Sequence, residues 1–291
     1  MSSSPKSAAE PTSSSLSTHH TVYLSDSRDM SALDDKTIGL VVTSPPYWSI
    51  KDYEHPGQIG AGQTYEEYLG GIEKVLQECF RVLKPGCRAA VNIGDQYLRA
   101  RDHGRYRVQP IAADLAVRAR SAGFDFMGNI IWRKISTTRT SGGGQWMGSI
   151  YYPKDGHVTY EHEYIILLKK PGSWKRPPDE EREASRIGKQ ERSDWFRGYW
   201  ELAPERQEGH VAMFPLELPR RLILMYSFVG ETIMDPFLGS GTTSRAAAEA
   251  GRHSVGYEIS EVNEARILAK MSEEGASDAQ KTCLGELRFV R

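Results

Sequence analysis

The sequence predicts an α/β protein, a mostly parallel sheet sandwiched by helices, and three observations carry that expectation. Apolar runs such as Ile38, Leu40, Val41 and Val42, or Glu161 to Leu168, have the length of buried strands and fall short of buried helices. Between such runs lie segments whose apolar residues recur at helical spacing, the clearest being Tyr68, Ile72, Val75, Leu76, Cys79, Phe80 and Leu83. A further run, Thr232-Ile233-Met234, leads through Gly239-Ser240-Gly241 into the alanine-rich Ser244 to Ala250, which is strand, glycine turn and helix in succession.

Taken in chain order, residues 1–20 are serine-rich without apolar periodicity and are expected to be a disordered tail; they lack the apolar centre of a signal peptide. Tyr23-Leu24-Ser25-Asp26 reads as a brief strand ending in an acid that could cap a following helix. The run from Ile38 empties into Thr43-Ser44-Pro45-Pro46-Tyr47-Trp48. Two prolines fix φ and donate no N–H, so the carbonyls around them stand as rigid acceptors beside a hydroxyl and an aromatic ring. A planar aminated base fits such a loop, with acceptors for its exocyclic N–H groups and a ring to stack on. An ordinary turn or a proline-rich ligand segment fits it too. The glycine-rich, charged stretch 51–63 is expected to be a loop over that site. Thr64 with Glu67 forms a capping box for the next helix, and Lys84-Pro85-Gly86 stops it. Arg88 to Ile93 is the following strand, Gln109 to Ala122 a second helix closed by Gly123, and Phe126 to Trp132 another strand.

Charge is uneven between these elements. Arg99, Arg101, Arg105 and Arg107 crowd one loop with Tyr97 and Tyr106, a set that would oppose phosphates or simply be solvated. Arg133, Lys134 and Arg139 precede a glycine run ending in Gln145-Trp146, a loop that could order on a duplex or connect two strands. From Pro171 to about His210 charges and prolines are interleaved with Trp174, Trp195, Phe196, Tyr199 and Trp200, as suits a small lobe against a groove or an exposed connector. Phe214-Pro215 opens an apolar helix, Leu216 to Phe228, with the proline well placed at a helix start. Asp235-Pro236-Phe237-Leu238-Gly239-Ser240-Gly241-Thr242-Thr243 lets a nucleotide-like ligand approach backbone closely. His253 to Glu258 is a second short strand ending in a carboxylate, where dinucleotide folds bind ribose hydroxyls. Ser260 to about Ser272 makes a last helix.

Composition bounds the function without choosing it. The 291 residues, 39% hydrophobic, suffice for one large domain carrying a small insertion. Formal net charge of −1 argues against an indiscriminate polyanion binder but leaves DNA open, since local charge decides. No apolar run is long enough for a membrane span. Cys79, Cys87 and Cys283 have neither metal-ligand nor disulfide spacing, so reduced thiols in a cytoplasmic protein and no metal are expected.

The Ser44-Pro45-Pro46-Tyr47 tetrapeptide and the Phe237-x-Gly239-x-Gly241 loop, in that order, resemble the amino-group DNA methyltransferases that use S-adenosylmethionine, in their permuted beta arrangement. The resemblance runs from about Tyr23 to Ala269. It implies a permuted, Rossmann-like class I methyltransferase sheet, with a catalytic domain of residues 21–170 and 210–291 and a target-recognition region at 171–209. It further implies that Ser44, Pro45, Pro46 and Tyr47 hold the target amine. The cofactor would lie against Asp26, Phe214, Pro215, Asp235, Phe237, Gly239, Ser240, Gly241, Thr242, Thr243 and Glu258. Arg99, Arg101, Arg105, Arg107, Arg133, Arg139 and Trp146 are then the expected contacts to double-stranded DNA. Serine at the first tetrapeptide position goes, in the resembling families, mostly with N4-methylcytosine rather than N6-methyladenine. RNA methylation and a catalytically silent binding module are the other classes the sequence leaves open. The remaining expectations are a monomer or homodimer, nucleoid-associated in a prokaryote, that is either partnered by a companion restriction endonuclease or an orphan methylase.

Overall fold

In the computed structural model, the residues described are 17–48, 55–134, 154, 158, 161–203, 214–272 and 285–291. The strands are β1 (His19–Tyr23), β2 (Ile38–Thr43), β3 (Leu83–Ile93), β4 (Gln96–Leu98), β5 (Arg107–Gln109), β6 (Asp125–Lys134), β7 (His162–Lys169), β8 (Tyr199–Leu202), β9 (Thr232–Asp235), β10 (His253–Tyr257) and β11 (Glu286–Val290). The helices are α1 (Tyr65–Val82), α2 (Ala100–His103), α3 (Ile111–Ser121), α4 (Asp179–Ala184), α5 (Lys189–Trp195), α6 (Glu217–Tyr226), α7 (Thr242–Glu249) and α8 (Asn263–Met271).

Among the described residues, nine strands form one sheet in the order β11-β1-β10-β9-β2-β3-β7-β6-β8, and β4 and β5 pair separately as a small hairpin. All ladders of the large sheet are parallel except those of β7, which runs antiparallel to both β3 and β6. All six residues of β2 are buried, as a central strand covered on both faces requires. Its side chains alternate between two cores. Val41 faces α1 and α3, with Tyr68, Ile72, Leu76, Ile111 and Leu115. Leu40 and Val42 face α6 and α7, with Leu218, Leu222, Ala246 and Ala247. The capping box of α1 is present in full, Thr64 N donating to Glu67 Oε2 at 2.7 Å and Glu67 N to Thr64 Oγ1 at 3.3 Å.

Several expectations change in the structure. The N-terminal strand starts at His19, inside the stretch expected to be a tail, and ends at Tyr23, because pairing with β10 and β11 supplies the order that composition lacks. No helix follows Asp26, so its reading as a helix cap falls; its carboxylate instead closes a turn on Arg28. The segment expected to form a recognition lobe is tied into the main sheet in its described part, residues 171–203: β8 runs parallel beside β6, and Trp195, Trp200 and Leu202 are buried in the α6-side core. The C-terminal β11, which the sequence left unread, pairs with β1.

Candidate active site

In a parallel sheet, ligands bind beyond the carboxyl ends of the strands where the strand order reverses. Here that point lies between β9 and β2, and the two loops singled out in the sequence leave these neighbouring strands. They are joined directly. Asp235, 2% exposed, accepts from Thr43 Oγ1 through Oδ1 and from Thr243 Oγ1 through Oδ2, both at 2.6 Å, and Phe237 N donates to Oδ1 at 3.0 Å. One carboxylate therefore fixes the residue before Ser44 and both ends of the glycine loop, across a sequence separation of 192 residues. Burial raises the Asp235 carboxyl to about 6, against the pull of these three hydrogen bonds.

The tetrapeptide loop is anchored on its other side by α1. Tyr68 Oη donates to the Pro46 carbonyl at 3.0 Å, and the buried Trp48 donates from Nε1 to the Gln63 carbonyl at 2.9 Å while its ring packs edge-on against Tyr65. Pro45 is buried, and Ser44, Pro46 and Tyr47 are partly exposed. The Tyr47 ring lies over Gly94, where a Cβ would come within 3.4 Å of it and within 3.0 Å of Glu163 Cγ. A side chain at that position would therefore require Glu163 or Tyr47 to give way.

On the β9 side, Gly239 and Gly241 have φ of +56° and +90°, the left-handed region glycine enters without strain. Glu258, at the end of β10, accepts from Gly239 N at 2.9 Å and from Ser260 N at 2.8 Å, and burial raises its carboxyl. Asp26 stands at the same edge, since Glu258 N donates to the Tyr23 carbonyl at the end of β1. The Arg28 guanidinium beside Asp26 holds that carboxyl below its usual range in spite of burial.

A DNA methylase family model of the N6/N4 methyltransferases matches residues 38–268, spanning both loops and the sheet between them. This chain belongs to that family. Among this methylase's relatives, the Type II methyltransferase M.MjaI of Methanocaldococcus jannaschii is 34% identical over an alignment covering 84% of this chain and 88% of that one. M.MthZI of Methanothermobacter thermautotrophicus is 36% identical, with coverages of 84% and 74%. The Thermus thermophilus protein TTHA0409, solved in complex with S-adenosyl-L-methionine, superposes with a TM-score of 0.74 at 33% identity, covering 93% of this chain and 98% of that one. The fold is also that of PvuII DNA methyltransferase (cytosine-N4-specific), with a TM-score of 0.65 at 18% identity.

The methylase uses S-adenosylmethionine, and its loop geometry fits that group. A Cβ on Gly239 would project into space where the nearest atom, the Phe237 carbonyl oxygen, is 4.0 Å away, so the missing side chain leaves room against the backbone. Phe237, Gly239, Ser240 and Glu258 are partly exposed around that space, and Phe214 and Pro215 are partly exposed ahead of α6. Pro215 lies two residues before the helix rather than at its first turn. Asp235, Thr242 and Thr243, also expected against the cofactor, have buried side chains. They are 1–3% exposed, and the Asp235 and Thr243 polar atoms are bonded to each other, so these side chains support the loop from beneath.

The arginines of 99–107 lie on the β4–β5 hairpin and α2, which follow the carboxyl end of β3 and so stand at the active edge, all four exposed. Arg133 is near the same edge at the end of β6, engaged by Glu201 and Glu161. Arg139 and Trp146 lie outside the described residues. A cleft of about 890 Å³ lined by Lys84, Arg88, Trp174, Tyr226 and Phe228 sits at the opposite edge, where β3 and β9 begin, and is remote from both loops. Residues that sequence reading missed are Thr43, Asn92, Gly94, Asp95 and Glu163, and Lys134, read there only as part of a loop that could meet DNA, also stands at this edge. Asp95 follows β3, accepts from Ala112 N at 3.0 Å, and is raised by burial. A Gly-Asp pair at a strand end was visible as a signal; the others join the site only through strand pairing.

Proposed function

We propose that this methylase transfers the methyl group of S-adenosylmethionine to the exocyclic N4 amine of a cytosine flipped out of duplex DNA at a specific site. The observation that carries the reading is the Asp235 bridge, which sets the tetrapeptide beside the glycine loop. Bound S-adenosylmethionine supplies a methyl group already activated on a sulfonium. The chain's task is then to present a nitrogen whose lone pair is delocalised into the ring. Ser44 Oγ and the Pro45 carbonyl accept the amine's hydrogens, drawing N–H density away and localising the lone pair in line with the methyl. Pro46 cannot compete for that work, because its carbonyl is held by Tyr68. Tyr47 stacks on the base, and Gly94 gives its ring room. Because the amine is paired inside a duplex, the base must leave the stack to reach this edge. Arg99, Arg101, Arg105 and Arg107 oppose phosphates beside the site. Serine at position 44 favours cytosine over adenine by family resemblance, and the Type II names of the relatives support pairing with a restriction endonuclease.

Nucleoside mass spectrometry of DNA from cells expressing the protein should show N4-methylcytosine. N6-methyladenine alone would reject the base assignment. Ser44→Ala should lower kcat about 100-fold, the scale of losing one oriented group at a reacting centre, with cofactor affinity nearly unchanged.

A further inference from the structure

The strand order lays out the chemistry as a line. The glycine loop stands over β9, the amine-holding loop over β2, and beyond them come β3, β7 and β6. On each of these three strands the residue that alternation places on the α6 face at the active edge is polar. Asn92 follows Ala90, Glu163 precedes Ile165 and Lys134 follows Trp132, and all three apolar neighbours belong to the α6-side core. Ser44 continues the same face from Val42.

These groups are coupled. Asn92 Nδ2 donates to Glu163 Oε2 at 2.7 Å, and Lys134 Nζ donates to Glu163 Oε1. Asn92 and Glu163 are 3% and 8% exposed, so a charge has been buried where an apolar residue would pack at less cost. Asn92 Oδ1 is buried and accepts no hydrogen bond among the described residues. A Cβ at Gly94 would meet both Glu163 Cγ and the Tyr47 ring, so the two side chains flank the same glycine.

We propose that Asn92, Glu163 and Lys134 read the ring of the target base on the side away from the methyl donor. Glu163 is a positioning residue that holds the other two. Lys134 donates to a ring carbonyl or ring nitrogen, and Asn92 holds Glu163 from the other side. Lys134 stands on β6, three strand spacings or about 14 Å from β2, and its side chain reaches back to Glu163 on β7. The inference rests on the reading that Ser44 and Pro45 face the amine.

The test uses the full chain and a duplex carrying its methylated site. Lys134→Met should reduce kcat/KM for DNA about 100-fold, as losing a charged donor to a base edge does, while KM for S-adenosylmethionine moves less than about two-fold and Lys134→Arg recovers part of the loss. A duplex whose target pyrimidine lacks the 2-carbonyl should slow the unaltered protein by a similar factor and slow Lys134→Met no further. If Lys134→Met fails to fold because Glu163 is left unpaired, Glu163→Gln/Lys134→Met removes both charges and takes its place. Equal losses in the DNA and cofactor parameters, or a loss below about five-fold, would make the trio a structural ion pair and overturn the proposal. The product base is measured separately. Transfer to adenine would reject the cytosine reading while the lysine variants still decide this one.

Discussion

Asp235 shows how much of the site turns on one side chain. A carboxyl with its pKa raised to about 6 keeps its proton in the folded chain where the unfolded chain, near 3.8, has lost it. The stability it contributes is therefore present below pH 3.8 and falls away as pH rises through about 6, by about 3 kcal/mol. His20 works in the opposite sense. Buried between Thr18 and Ser254, with its pKa lowered from 6.5 to about 4, it makes the fold lose stability as pH falls through that window. The two slopes overlap between about pH 4 and 6 and oppose each other. Asp235→Asn removes one of them: melting followed by circular dichroism should show the variant gaining on the parent as pH rises from 4.5 to 7. A pH-independent difference would contradict the buried, proton-holding carboxyl. Asp235 itself was legible as the start of a motif. Its partner Thr43 was not, because neither residue's type announces a bond across 192 positions.

At the scale of elements, local signals were reliable where local physics decides. Thr64 and Glu67 predict the start of α1 because a capping box needs only four residues of chain. Thr64→Ala should cost about 1 kcal/mol and lower the melting temperature by about 2 °C without changing methyl transfer. A larger fall, or lost activity, would show that the helix start also supports the loop over the site. Elements that pairing creates were missed or misplaced. His19 and His20 looked like the end of a polar tail until β10 and β11 flank them. β8 looked like part of a charged connector, although its alternation of exposed Tyr199 and Glu201 with buried Trp200 and Leu202 is a strand pattern. The aromatic residues read as a recognition surface include Trp195 and Trp200, which are core.

For the whole molecule, a net charge of −1 coexists with a local cluster of exposed arginines. The β4–β5 hairpin places Arg105 and Arg107 in solvent beside the active edge. If they contact phosphates, Arg105→Gln/Arg107→Gln should reduce the slope of log affinity against log salt by about 1.8, or about 0.9 per contact, and weaken specific and random duplexes alike. An unchanged slope would place the DNA elsewhere. The sheet also explains why the catalytic halves can be so distant in sequence. β2 and β9 are neighbours at the reversal of strand order, so a permuted chain delivers both loops to one edge whichever comes first.

Consecutive residues were enough to give the family, the cofactor and the two loops at the active edge, because the backbone needs that mark them, proline rigidity and glycine freedom, are local. Which side chains stand beside those loops was decided on folding. Thr43 with Asp235, Tyr47 with Gly94, and Asn92 with Glu163 and Lys134 meet through strand register and burial, and these arise when separate strands share one sheet and exclude water together.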